Sequence, residues 1–165
     1  RVILEYIDSA PLEVLAGNPS WVSLQKLGLI SHERVRTYRY GTEAPPRDIT
    51  PCDPDSFPAF AQSIAAKKIT EFTYRFETAG DPFVQALVSS GFLQQLKKLD
   101  LRNCGITEEG ARILAEAIPS SSLQRLDVGN NRISLAGLDL LRATEISLQH
   151  DSQEGNDEYG GDIPF

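Results

Sequence analysis

The sequence predicts an α/β solenoid of about five repeats, with parallel strands lining the inside of a curve and helices on its outside. Three observations predict it. The stretch L-K-K-L-D-L-R-N-C-G-I at 96–106 returns as L-Q-R-L-D-V-G-N-N-R-I at 123–133, an offset of 27 residues, too far for a hairpin and too regular for chance. Within the two copies, Leu99 and Leu101, then Leu126 and Val128, alternate with Asp100 and Asp127, as a strand with one apolar face requires. After the first copy, Ala111, Leu114, Ala115 and Ile118 recur at helical spacing. One such unit cannot bury its own faces, so neighbours must stack.

Both copies fit L-x-x-L-x-L-x-x-(N/C)-x-(L/I), carried by Leu96, Leu99, Leu101, Cys104, Ile106 and by Leu123, Leu126, Val128, Asn131, Ile133. On these residues the chain resembles the leucine-rich repeat family. The Cys-type then Asn-type turn, followed by a helix, is similar to the ribonuclease-inhibitor-like subclass. The resemblance covers about residues 24–150 and is sharp in 96–133. It implies a right-handed horseshoe with a concave strand face and a convex helical face. It also implies a non-catalytic scaffold for protein–protein interaction, without a cofactor. Read physically, Cys104 and Asn131 fall where the chain leaves the strand, and a side chain there can bond backbone groups that no ladder reaches.

Taken in order, residues 1–8 are apolar enough for burial and suit either an earlier repeat or an N-terminal cap. Residues 10–16 read as a short helix ended by Gly17-Asn18-Pro19. Leu24, Leu27 and Leu29 repeat the motif spacing, with Trp21 and Val22 packing just before the strand. Ile69, Phe72 and Tyr74 lie one 27-residue period before Leu96, although the turn that follows them has no good match to the motif. The longer gap between Leu24 and Ile69 places an insertion at about 32–55, where Pro45, Pro46, Pro51 and Pro54 forbid regular structure across its second half. Phe57 to Ala66 then reads as a helix capped by Asp55 or Ser56, with Lys67 and Lys68 complementing its C-terminal end.

From Asp81-Pro82, Phe83, Ala86 and Leu87 share a helix face, and Gly91 stops it. Thr107 caps the next helix, which Pro119 and the serines at 120–122 close. Leu135 to Arg142 forms a shorter helix with Leu138 and Leu141 inward. Ile146-x-Leu148 then stands as the counterpart of Leu126-x-Val128, 20 residues on, as a closing strand. The domain reading is a repeat domain over 1–150 and an acidic tail over 151–165, which holds Asp151, Glu154, Asp157, Glu158 and Asp162 and no Lys or Arg.

A net charge of −7 argues against general nucleic-acid binding, which needs a Lys/Arg surface to neutralise phosphates. No stretch approaches the ~18 apolar residues of a membrane span. Cys104 sits in the motif's turn and Cys52 in a Pro/Asp-rich loop, so the two read as reduced thiols of a cytoplasmic chain. A first residue of Arg1 and the absence of Met suggest a fragment, a processed chain or an excised domain.

Catalytic chemistry is mostly sought in vain. His32 and His150 have no partner spacing for a metal or a triad, and no phosphate-binding glycine loop appears. Asp100 and Asp127, roughly 5 Å apart on adjacent strands, are close enough for acid-base work or a hard cation. The stronger account is that Lys98, Arg102 and Arg125 neutralise them, leaving no enzyme.

What remains is surface. The outward columns run Lys26, Glu71, Lys98, Arg125, Glu145; then Gly28, Thr73, Asp100, Asp127, Ser147; then Ile30, Arg75, Arg102, Gly129, Gln149. Such a grid suits docking of another protein, through Thr73, Arg75, Lys98, Asp100, Arg102, Arg125 and Asp127. A solvated mixed-charge face is the competing account. Within the insertion, Arg34, Arg36 and Arg39 interleave with Tyr38 and Tyr40, a composition used at protein hot spots and to stack single-stranded bases. Against both stands a local role, with the arginines paired to the insertion's own acids or to the acidic tail. Two functional alternatives stay open: a partner-recognition domain cut from a larger signalling receptor or ligase, and single-stranded nucleic-acid binding through Arg34 to Tyr40.

Overall fold

The computed structural model describes residues 2–5, 16–17, 22–30, 56–76, 79–151 and 153. The 32–55 insertion, with Arg36, Tyr38 and Cys52, and the tail from 154 lie outside the described residues, as does most of the helix expected over 10–16. Six strands form one parallel sheet in sequence order: β1 (Val2–Glu5), β2 (Lys26–Ile30), β3 (Glu71–Arg75), β4 (Lys98–Asp100), β5 (Arg125–Asp127) and β6 (Ser147–Gln149). The segment at 1–8 therefore supplies a strand, paired Val2 to Leu27 through Glu5 to Ile30. Helices α1 (Phe57–Gln62), α2 (Gly80–Ser89), α3 (Glu108–Ala117) and α4 (Leu135–Arg142) alternate with β3 to β6. Among the described residues they cover one face of the sheet and leave the other open.

The alternation read from sequence places the core. Phe72 and Tyr74 of β3, Leu99 of β4 and Leu126 of β5 are buried under the helices, against Leu87, Leu114 and Leu141. Where β3 carries aromatics in place of leucines, the neighbouring helices and turns answer with rings. Tyr74 stacks on Phe83 with centroids 3.7 Å apart and planes 4° from parallel. Phe72 and Phe57 both meet Phe92 edge-on, at 5.4 and 5.6 Å. Such ring pairs add about 0.5–1.5 kcal/mol each beyond their burial.

The helices are tied to one another at their N-termini. Thr107 caps α3 by accepting from Glu109 N, and Ser134 caps α4 by accepting from Gly137 N at 3.2 Å. Each cap residue also bonds an acid of the preceding helix: Asp81 accepts from Thr107 N at 2.9 Å and from Thr107 Oγ1 at 2.6 Å, and Glu108 accepts from Ser134 Oγ. Asp81 and Glu108 are one period apart, as are Thr107 and Ser134, so one polar staple joins α2 to α3 and α3 to α4. Glycine allows the close approach. A Cβ on Gly110 would fall 2.3 Å from Asp81 Oδ1.

Two sequence expectations are corrected. Helix α1 ends at Gln62, not Ala66, and Ser63 is extended. Ser63 Oγ and carbonyl both accept from Ala66 N, at 3.3 and 3.2 Å, a local bond that competes with helix continuation. Lys67 and Lys68 therefore follow a turn and not a helix end. The register of β6 also differs: Arg125 pairs with Ser147, Leu126 with Leu148 and Asp127 with Gln149. The counterpart of Leu126 is thus Leu148, not Ile146. Glu145 takes a left-handed conformation, φ 59°, in the turn, and Ile146 packs against the core before the strand starts, two residues later than the pattern suggests.

Candidate functional site

The turn residues act as expected, and a third joins them. Asn131 is fully buried; its Oδ1 accepts from Cys104 N and Ile106 N, both at 3.0 Å, and its Nδ2 donates to Leu101 O at 2.9 Å and Val128 O at 2.8 Å. Cys104 Sγ donates to Tyr74 O at 3.1 Å. Burial pushes the Cys104 thiol up to about 12, so it is a structural donor and not a thiolate nucleophile. Gln153 does the same work one turn later, unnoticed in the sequence: its Nε2 donates to Val128 O at 2.9 Å and His150 O at 3.0 Å, and its Oε1 accepts from Ile133 N at 3.2 Å. The signal was present, since Leu148-x-His150-x-x-Gln153 has the spacing of Leu126-x-Val128-x-x-Asn131. Asp151 and Gln153 are thus built into the last turn, with Asp151 O accepting from Asn130 N at 2.9 Å.

With the strands pinned by these turns, the open face of the sheet holds two rows of charge. The first crosses the sheet in register as Lys26, Glu71, Lys98, Arg125 and Ser147, so Ser147 replaces the Glu145 expected in that column. Glu71 lies between two ammonium groups, 2.8 Å from Lys26 Nζ and 3.1 Å from Lys98 Nζ. The Lys26 bond, with Lys98 beside it, holds the Glu71 carboxyl below its ordinary value against the cost of desolvation.

The second row is a continuous network. Arg75 grips Asp100 through Nε at 3.2 Å and Nη2 at 2.5 Å. Arg102 donates to the same carboxylate from its backbone N at 3.2 Å and from its guanidinium at 3.2 and 3.3 Å, then reaches Asp127 Oδ2 at 3.1 Å. Asp127 Oδ1 accepts from Gly129 N at 3.1 Å. Arg75 is not opposite Asp100; it stands two residues past Thr73, the register partner, and reaches diagonally. The expected neutralisers are accordingly corrected. Arg102 does neutralise the pair, but Lys98 serves Glu71, Arg125 makes no ion pair among the described residues, and Arg75 supplies the second guanidinium. Thr73 is half-buried between Gly28 and Asp100.

This arrangement is poorly suited to acid-base or metal chemistry. Burial pushes Asp100 up despite Arg75, and burial likewise raises Asp127 despite the Gly129 N–H. Yet both Asp100 oxygens are already occupied by donors, and Arg102 bridges the two carboxylates. Among the described residues no group of three or more His, Cys, Asp or Glu is placed to hold a metal, and no helix is long and apolar enough to cross a membrane.

A search of the curated proteins finds no match. The family model described as Leucine Rich repeat matches residues 93–115 and 120–141, each running from the approach to a strand, β4 or β5, into the helix that follows it. The chain therefore carries two leucine-rich repeats, and the strands and helices around them continue the same α/β order.

Proposed function

We propose that this chain is a non-catalytic, cytoplasmic protein–protein interaction scaffold: a right-handed solenoid of the ribonuclease-inhibitor-like kind whose open sheet face is concave and receives the partner. Leucine-rich repeats commonly mediate protein–protein interaction. The observation that carries the reading is the network of Arg75, Asp100, Arg102 and Asp127. Ordering a long side chain on binding costs about 0.5–1.5 kcal/mol, and arginine is a preferred anchor at interfaces. Here two guanidinium groups are already fixed by carboxylates while their side chains stay 28 and 39 % exposed. A face held in place before the partner arrives loses less entropy when it binds.

The test is affinity capture from source-cell lysate, comparing the native chain with Lys98→Glu, Arg102→Glu, Arg125→Glu. The expected result is a partner retained by the first and lost by the second, with unchanged circular dichroism. Equal capture by both chains would place the interaction elsewhere.

A further inference from the structure

The chemistry of the docked segment can be read from where ion pairing on the open face stops, an inference that rests on the docking reading above. In the first row Glu71 satisfies Lys26 and Lys98 together. One strand further, Arg125 stands in register with Lys98 on one side and Ser147 on the other, neither of them an acid. Lys97 runs alongside: its carbonyl accepts from Gln124 N and Arg125 N at 2.9 and 3.1 Å, so Lys97 and Lys98 lie directly against the start of β5. Lys97, Lys98 and Arg125 are all exposed. Neither Lys97 nor Arg125 makes an ion pair among the described residues, and Lys98 has only its share of Glu71. Three cations, Lys98 and Arg125 on adjacent strands and Lys97 in the bend just before β4, thus have part of one carboxylate between them among the described residues, in a chain of net charge −7. The second row differs: its two carboxylates and two guanidinium groups already bind one another.

We propose that Lys97, Lys98 and Arg125 form a docking patch for the carboxylates of an acidic segment in the partner protein. The segment supplies at Arg125 what Glu71 supplies between Lys26 and Lys98. A guanidinium fork donates to a carboxylate in bidentate fashion, and the two lysines strengthen its capture as point charges. The surroundings favour a short acidic peptide over a nucleic acid. Asp100 and Asp127, two residues further along β4 and β5, border the patch and repel a long polyanion, whereas a segment with two or three carboxylates fits beside them.

The test uses the full chain and a fluorescein-labelled peptide of alternating glutamate and glycine, followed by anisotropy at low salt, where exposed charges are least screened. The expected result is saturable binding that weakens at least ~10-fold in Lys97→Glu, Arg125→Glu and stays within ~2-fold in Lys67→Glu, Lys68→Glu, which makes the same change in net charge. Both variants alter exposed side chains, and matching thermal unfolding checks that the fold is kept. Absence of peptide binding, equal weakening by both variants, or tighter binding of a single-stranded oligonucleotide of matched charge would each overturn the proposal. If the peptide fails while lysate capture still depends on Lys98, Arg102 and Arg125, this inference falls and the docking reading stands.

Discussion

The side chain of Asn131 holds the backbone N–H of Cys104, 27 residues earlier, at 3.0 Å. Through this bond each repeat is fixed by its successor, because the chain of β4 leaves its ladder at Cys104 with donors that only the next turn supplies with an acceptor. Asn131→Leu keeps the volume and removes that acceptor, leaving Cys104 N and Ile106 N buried without their partner. Each buried donor left unmade costs roughly 1–3 kcal/mol, so the variant should lose about 3 kcal/mol or more in urea unfolding. A loss under ~1 kcal/mol would show that the turn is held by other means.

Gln153 plays the same part at the end of the sheet, where nothing beyond it among the described residues depends on its turn. Gln153→Ala should therefore cost less, about 1–2 kcal/mol. It should also speed hydrogen exchange at Ile133 while leaving Leu101 protected. Uniform loss of protection across the sheet would contradict this local role.

Alanine at Gly110 gains up to ~1 kcal/mol of helix propensity in an unobstructed helix. Here its Cβ would lie 2.3 Å from Asp81 Oδ1 and 2.6 Å from Ile106 Cγ2, displacing the carboxylate that bonds Thr107. Gly110→Ala should lower the melting temperature. An unchanged or raised value would mean that the staple between α2 and α3 yields without cost.

The carboxylates of the open face act in opposite directions as pH changes. Asp100 and Asp127 are raised by burial above their ordinary 3.8, so the folded state holds their protons more tightly. Their contribution is full below that value and is lost as pH rises through the folded pKa. Glu71 is lowered below its ordinary 4.5 by Lys26 and Lys98, so its contribution is present above that value and is lost as pH falls. Glu71→Gln removes the opposing part. Between pH 4 and 6 its stability should decline with rising pH more steeply than that of the native chain, as read by urea unfolding at each pH. Parallel curves would sink this assignment.

Cys104 is fully buried and its thiol is pushed up to about 12. In a Cys52→Ser chain it should resist a thiol reagent under native conditions and react fully in urea. Rapid native labelling would show that the turn opens freely.

Much of this was legible in the residues because the determinants are periodic. A 27-residue offset in buried apolar residues set β3, β4 and β5 against one another, and Thr107 announced its helix through its own chemistry. The rest depended on conformations that leave no mark in a pattern. Glu145 in a left-handed turn moved the last strand by two residues, and Ser63 captured Ala66 N and stopped α1 early. The partner of Asp100 was misread because a reading of directly opposed residues overlooks diagonals, and Arg75 reaches across one. Gln153 went unseen because a one-methylene-longer amide stands in the asparagine slot after a shortened period.

The central claim is that the open sheet face docks a partner, and the most direct measurement separates face from charge. Capture from lysate should be compared for the native chain, for Lys98→Glu, Arg102→Glu, Arg125→Glu on the sheet, and for Lys68→Glu, Arg112→Glu, Arg142→Glu on the helices and turns. Each variant reverses three positive charges. The partner should be lost only with the sheet variant; loss with the helix variant alone, or with both alike, would rule out docking on the open face.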